Sequence, residues 1–387
     1  MVYFECTNKF YFFSSNFNTF AGHFYRHFMY KRITLKVGSN VLTLPDGNPN
    51  EKLIAGLVEQ MVVLKRQGIE LLLVSSGAVA SGRRVIGEPK NCDAVSCRQL
   101  WASVGQVRLI QLYSELFGRH GVICSQVLAT KEDFRDRRHF LNMRNCLESL
   151  LKNNVIPVIN ENDVVSVTEL MFTDNDELSG LITNMMNSDA LIILSNINGI
   201  YDGIPSDPAS KVIPVIEPDN MTVSRFIAPT KSNFGRGGML TKFSIAKKVA
   251  LAGTPVHIAN GATEHILLDV VEGRKDTIQT LFVPGHKATT FKKWLAHSDT
   301  VAKGSVHINA GAVARLFDQH AASLLPVGIT RIEGEFAKGD VIQILDEQKN
   351  VIGLGRSEYN SDTARKKVGE RNARPVIHYD YLYLKQE

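Results

Sequence analysis

Two lysines far apart in the chain, Lys36 in LKVGSN and Lys242 in GRGGMLTKFS, each lie beside glycine. An ammonium next to turn-forming glycines presents a charge and backbone N–H groups together, which is what an anion needs. The second stretch, Gly235 to Ala250, looks like a phosphate loop but does not follow the Walker A rule. That rule places Ser or Thr after the lysine so that its hydroxyl reaches Mg²⁺; here Thr241 precedes Lys242 and Phe243 follows it. If the chain handles phosphate, it does so by another geometry.

Between the lysines lie two further clusters. SSGAVASG, Ser75 to Gly82, is small enough for backbone to approach a ligand closely, or for two elements to pack tightly. INENDVV and FTDNDELSG then bring Asn160, Glu161, Asn162, Asp163, Asp174, Asn175 and Asp176 within seventeen positions. One or two of these side chains, Asn175 or Asp176 for instance, are explained as a helix cap. The remainder suit a polar pocket for an amino acid's ammonium or for Mg²⁺-bound phosphate.

These residues must be held by something, and the pattern from residue 32 to about 285 says what. Apolar strand-like runs (ITLKVG, IELLLVSSG, VICSQVL, VIPVINEND, ALIILSNING, PVHIAN) alternate with segments of helical period. This is the pattern of an α/β fold, a mostly parallel sheet sandwiched by helices. All the clusters fall at strand ends, where ligands of open α/β sheets bind. Near residue 285 the texture changes to a polar, basic connector, and then to short strands with glycine turns, SVHINAG, GDVIQILD and VIGLGRS. The expected organisation is a leader over 1–30, an α/β domain over 31–285, a linker over 286–299 and a small β-rich domain over 300–387.

The leader holds 12 of the chain's 31 aromatic residues with neither helical nor strand period. Met29 directly precedes YKRITLKVG, which makes it the expected translation start. A formal charge of +5 on 387 residues is mild and does not imply a nucleic-acid or membrane partner. Residues 287–387 carry 15 Lys/Arg against 12 Asp/Glu, a poor electrostatic footprint for RNA. Five cysteines without a CxxC pair support neither a disulfide framework nor a zinc site, the histidines cluster nowhere with metal-ligand spacing, and a reducing cytoplasm fits best. No apolar run reaches about 18 residues, the length a membrane span needs.

Taken in order, LKVGSNVLT, SSGAVASGR, VGQVRLIQLY, VIPVINENDVV, DNDELS, GRGGMLTK and, in the tail, SSLLPVGI and YNSD resemble the glutamate 5-kinase family of the amino-acid kinase fold, over roughly residues 32–387. The tail is similar to the β domain called PUA. The resemblance implies ATP-dependent phosphorylation of the side-chain carboxylate of L-glutamate, the first step of proline biosynthesis. It also implies Mg²⁺ with ATP, a homo-oligomer and proline as a feedback inhibitor. It places Lys36, with Gly38 and Ser39 N–H groups, on the transferring phosphoryl group, Lys242 on the nucleotide's phosphates, and Asp176 between the two lysines. Ser76, Asp163 and Asn175 would hold glutamate, with Asn160 and Asp174 in the same pocket. The nucleotide contacts would be Lys36, Ser195, Asn196 and the run Arg236, Gly237, Gly238, Met239, Leu240, Thr241 and Lys242. Asn196 stands where that family usually has Asp, and Arg236 where a small residue is usual. The tail after YNSD is short, implying a trimmed β domain. Two other readings compete: another amino-acid substrate, such as acetylglutamate, on the same fold, and a nucleic-acid binder acting through the tail.

Overall fold

A computed structural model describes residues 30–166, 172, 174–205, 207–217, 238–285, 302–317, 322–371 and 373–384, with Arg135 and Arg137 described in backbone only. The proposed leader, apart from Tyr30, lies outside these residues, as do Gly235, Arg236 and Gly237 of the glycine loop.

The N-terminal unit is an eight-stranded sheet in the order β3-β4-β2-β1-β5-β7-β8-β6. Its strands are β1 (Arg32–Val37), β2 (Glu70–Ser75), β3 (Cys124–Ala129), β4 (Ile156–Glu161), β5 (Ala190–Ser195), β6 (Val215–Ile216), β7 (Val256–Asn260) and β8 (Gln279–Phe282). Every pairing is parallel except β7 with β8. The central strands are buried almost end to end because helices cover both faces, so their sequences read as continuous apolar runs. One face packs Ile33, Leu35 and Val37 against α2 (Glu51–Arg66) and α4 (Ala94–Gly118). The other packs Leu72, Val74 and Ile159 against α6 (Arg137–Lys152) and α7 (Asn175–Met186). Lys36 lies on β1, between β2 and β5.

Helix ends follow local chemistry. Asn50 caps α2, accepting from the Leu53 N–H, and the chain leaves past Gly68 in the left-handed region. Asp93 caps α4 through the N–H groups of Val95 and Ser96. Asp174, not Asn175 or Asp176, caps α7, accepting from the N–H groups of Asp176 and Glu177 at 2.9 and 3.1 Å. SSGAVASG is not only a turn. Gly77, at φ +101°, caps α3 (Ala78–Ile86), and α3 crosses α4 at two glycines. A Cβ on Gly82 would lie 1.8 Å from Trp101 O, and one on Gly105 would lie 1.7 Å from Ala78 O. Backbone-to-backbone approach at this crossing therefore excludes any side chain.

The C-terminal unit is a five-stranded sheet, order β10-β9-β11-β12-β13, built from β9 (Gly304–Ile308), β10 (Ile329–Gly334), β11 (Val341–Leu345), β12 (Val351–Ser357) and β13 (Ile377–Leu384). Its core includes Val306, Ile308, Ile342, Ile344 and Leu382. The short tail does not trim the sheet: IHYDYLYL forms β13, with Ile377 and Leu382 pointing inward among polar neighbours. Val341, Leu354 and Tyr383 also pack into the cluster that holds α6 and α7.

Two other expectations are revised. Cys92 and Cys97 are joined as a disulfide just before and within α4, a local pairing that the absence of a CxxC motif concealed. Tyr30 is buried, its hydroxyl 2.9 Å from His257 Nε2 on β7, so the ordered fold begins ahead of β1.

Candidate active site

The C-terminal ends of β1, β2, β4 and β5 open into one cleft of about 860 Å³. At its floor three charged side chains meet. Asp176, fully buried on the first turn of α7, sets Oδ1 2.5 Å from Lys36 Nζ and Oδ2 2.8 Å from Lys242 Nζ. Lys36 arrives from β1 and Lys242 from α8 (Met239–Leu251), so three elements separated in sequence converge on one carboxylate. Burial alone would raise that carboxyl. The two ammonium groups outweigh burial and hold it well below the usual carboxylate range. For Lys242, burial pulls the ammonium down, but Asp176 and then Asp174 outweigh it and raise it above its ordinary value. The result is two lysine side chains sharing one buried carboxylate with little water around them.

Asp174 is set differently. Its Oδ1 is spent on the α7 cap, and its Oδ2 is buried with no hydrogen-bond partner. Burial first, and then Asp176, raise this carboxyl well above the ordinary carboxylate range, against the pull of Lys36 and Lys242. An added cation beside it would relieve both causes.

One side of the cleft is a network of neutral groups. Asn175 Nδ2 donates to Ser76 Oγ at 2.8 Å, to Asn160 Oδ1 at 2.9 Å and, at 3.2 Å, to Ser75 O. Asn160 Nδ2 in turn donates to Gln106 Oε1 at 2.8 Å. Asp163, just past β4, accepts from Arg98 Nε at 2.9 Å and from Nη2 at 2.6 Å. The other side is lined by Ser195, Asn196, Ile197, Gly238, Met239 and Lys242. Ser195 Oγ donates to Asn196 Oδ1 at 3.4 Å.

Of the expected site residues, Lys36, Gly38, Ser39, Ser76, Asn160, Asp163, Asp174, Asn175, Ser195, Asn196, Gly238, Met239 and Lys242 line this cleft. Asp176 lies beneath it, joined to both lysines. Leu240 and Thr241, on the first turn of α8, are not among the lining residues: Leu240 is turned to solvent and Thr241 is half-buried. The role given to the Gly38 N–H is corrected. It donates to Leu194 O at 3.0 Å, tying the end of β1 to β5, and is not available to a phosphoryl group. Gly38 instead keeps space: a Cβ there would lie 3.5 Å from Lys36 Nζ, where an incoming anion must come.

Arg98 and Gln106, both on α4, went unnoticed in the sequence. Neither sits at a strand end, and a lone Arg or Gln in a helix has no distinguishing neighbour. The signal was VGQV: Gly105 packs α4 backbone to backbone on α3 at Ala78 and Gly82, and the next residue, Gln106, reaches Asn160.

The chain thus joins a mostly parallel sheet to a cleft where two lysines meet one buried carboxylate. Residues 31–260 match the amino acid kinase family and residues 304–379 match the PUA domain. The chain belongs to the amino acid kinase family. Along nearly its whole length it is similar to proteins named glutamate 5-kinase. The one from Bacteroides thetaiotaomicron is 53% identical over 356 residues, covering 92% of this chain and 99% of that protein. The one from Chlorobaculum tepidum is 46% identical over 361 residues, covering 93% and 99%. A third, from Trichlorobacter lovleyi, is 38% identical over 367 residues, covering 92% and 96%.

Proposed function

We propose that the chain transfers the γ-phosphoryl group of ATP to the side-chain carboxylate of L-glutamate, giving L-glutamyl 5-phosphate and ADP at the entry to proline biosynthesis. The observation that carries this reading is the pair of buried ammonium groups on one carboxylate, beside an amide-lined part of the same cleft. The end-to-end similarity to glutamate 5-kinases supports the same acceptor.

A glutamate side chain, with an unperturbed pKa near ~4.3, is already ionised at pH 7. Its attack therefore needs no general base; it needs relief from the repulsion of anion by anion. One carboxylate oxygen bonds to the γ-phosphorus while the bond from that phosphorus to the β,γ-bridging oxygen breaks, and the electron pair leaves on ADP. The loose transition state spreads charge over the transferring group. Lys36 neutralises that charge, Lys242 holds the nucleotide's phosphates, and Asp176 keeps both ammonium groups at fixed positions. Because these charges are placed before reaction, little reorganisation is needed. The proposed contacts for glutamate are Ser76, Asn160, Asp163, Asp174 and Asn175, with acidic groups for the ammonium and amides for orientation. Those for ATP are Ser195, Asn196 and the loop from Arg236 to Lys242.

Among the described residues, the lining of the nucleotide side offers hydroxyl, amide and ammonium groups and no carboxylate. Such a donor set fits Mg²⁺ that arrives with ATP on phosphate oxygens and water rather than on protein ligands. The ion would add positive charge that offsets the phosphates.

We propose the domain limits 31–285 and 300–387, the first extended to include Tyr30, with 286–299 as the linker and 1–29 as a leader outside both. We also propose a cytoplasmic homo-oligomer inhibited by proline; among the described residues no helix is long and apolar enough to cross a membrane. The test is a hydroxamate assay with ATP and Mg²⁺, comparing L-glutamate, acetylglutamate and aspartate, with and without proline. Turnover of glutamate alone is expected, and preference for either other acid would overturn the assignment.

A further inference from the structure

The phosphoryl end of the cleft accounts for one end of an amino-acid substrate and leaves the other end to be read. Glutamate carries an α-ammonium and an α-carboxylate in addition to the carboxylate that reacts. Three acidic side chains, Glu161, Asp163 and Asp174, line the amide lobe, and these suit the ammonium. The α-carboxylate needs a cation. Lys36 is bound to Asp176 at 2.5 Å and belongs to the reacting end. Arg83 and Arg84 sit at the rim; the Arg83 side chain is 59% exposed and paired with Glu88. Arg98 remains: its side chain is 26% exposed, it lines the cleft, and it lies beside Asp163 and 3.7 Å from Glu161 Oε2.

Its geometry fits a second anion. The Nε and Nη2 donors both go to a single oxygen, Asp163 Oδ1. A guanidinium has five N–H donors in a rigid fork, so holding one carboxylate by one edge leaves the Nη1 edge for another. α4 carries Arg98 close to its Asp93-capped start, and the pairing with Asp163 sets that part of the helix beside the end of β4. Asp163 likewise gains from the pairing, which holds its carboxylate in place at the edge of the lobe.

Resting on the reading that L-glutamate is the acceptor, we propose that Arg98 binds the substrate's α-carboxylate and that Arg98 and Asp163 together select a zwitterionic α-amino acid. The two functions are separable with compounds that each lack one group. 4-Aminobutyrate is glutamate without the α-carboxylate, and glutarate is glutamate without the ammonium; both keep the carboxylate at the reacting end.

The experiment measures, with the full chain, the glutamate KM and kcat and the inhibition constants of both compounds, for the wild type and for Arg98→Met. In the wild type each compound should bind at least about tenfold more weakly than glutamate, as expected for the loss of a charge-assisted contact. In Arg98→Met the glutamate KM and the glutarate inhibition constant should both rise about tenfold or more. The 4-aminobutyrate constant should stay within about twofold, because that compound never used the arginine, and kcat at saturating glutamate should stay within about threefold. If Arg98 only steadies Asp163, the pattern reverses: 4-aminobutyrate weakens along with glutamate and glutarate does not change, which overturns the proposal. Arg98→Lys, which keeps the charge without the fork, should give an intermediate glutamate KM with the same ordering of the two compounds. It serves as the deciding variant if the methionine form does not fold. A wild-type protein that fails to phosphorylate glutamate at all would refute the acceptor assignment itself, a result distinct from any of these.

Discussion

The two sides of the cleft are built from opposite materials. At the floor, Lys36, Asp176 and Lys242 are full charges, nearly free of solvent and held at 2.5 and 2.8 Å. In the amide network beside it, Ser76, Asn160, Asn175 and Gln106 are neutral and linked to one another through hydrogen bonds of 2.8–2.9 Å. The first arrangement is costly to assemble, because each desolvated charge must be matched. It is worth that cost only where charge moves during reaction. The second is cheap and directional, suited to holding a molecule whose charge does not change. The difference predicts that substitutions at the floor act on turnover and substitutions in the lobe act on affinity.

The largest effect should come from Asp176→Asn, which strands two buried ammonium groups. Turnover should fall on the order of 100-fold or more, and stability should drop by roughly 3–5 kcal/mol, as when one member of a buried pair is removed; urea denaturation measures the second. Lys36→Met and Lys242→Met should each lower kcat by at least about two orders of magnitude while the far-UV spectrum is retained. Near-normal turnover in either would remove the floor from the mechanism.

Gly105→Ala tests the crossing that holds the lobe. Its Cβ has no room against Ala78 O, so the expected loss is roughly 1–3 kcal/mol of stability together with a raised glutamate KM. An unchanged melting temperature would mean that α3 and α4 separate freely. Asn175→Ala and Asp163→Ala should raise the glutamate KM about tenfold or more, as expected for removing a buried hydrogen-bond partner, with kcat much less affected.

The smallest effect is in stability against pH. Asp174 has a folded-state carboxyl raised above its ordinary value, so its contribution is present below that ordinary value and is lost as pH rises through the raised one. Asp176 is the reverse: its contribution is present above the ordinary value and disappears only in strong acid. Asp174→Asn keeps a good helix cap and removes the penalty. It should stabilise the protein at neutral and mildly alkaline pH and have little effect near pH 4. A melting difference independent of pH would contradict the account of Asp174.

Much of the floor was legible from sequence because charge and glycine at strand ends are conspicuous. Lys36 and Lys242 stood out from their neighbours, whereas Asp176 read as a helix cap and only the family resemblance set it between the lysines; the strand and helix runs up to Asn260 could be placed from periodicity. What escaped was set by register across space. Arg98 is an ordinary helical residue until α4 lies over β4, and Gln106 matters only because Gly105 lets the helix approach. The Gly38 N–H looked available because nothing in LKVGSN shows that Leu194 O lies beside it. The tail after YNSD looked trimmed because the inward positions of IHYDYLYL, Ile377 and Leu382, are separated by polar and aromatic residues.

The central claim is that charge at the floor drives transfer while the lobe only binds, and one set of steady-state measurements tests it most directly. Asp176→Asn and Asn175→Ala are compared side by side for kcat and for the glutamate KM at saturating MgATP. The account predicts a collapse of kcat with the KM within a few-fold for Asp176→Asn, and a raised KM with kcat within a few-fold for Asn175→Ala. Both substitutions moving the same parameter would contradict it.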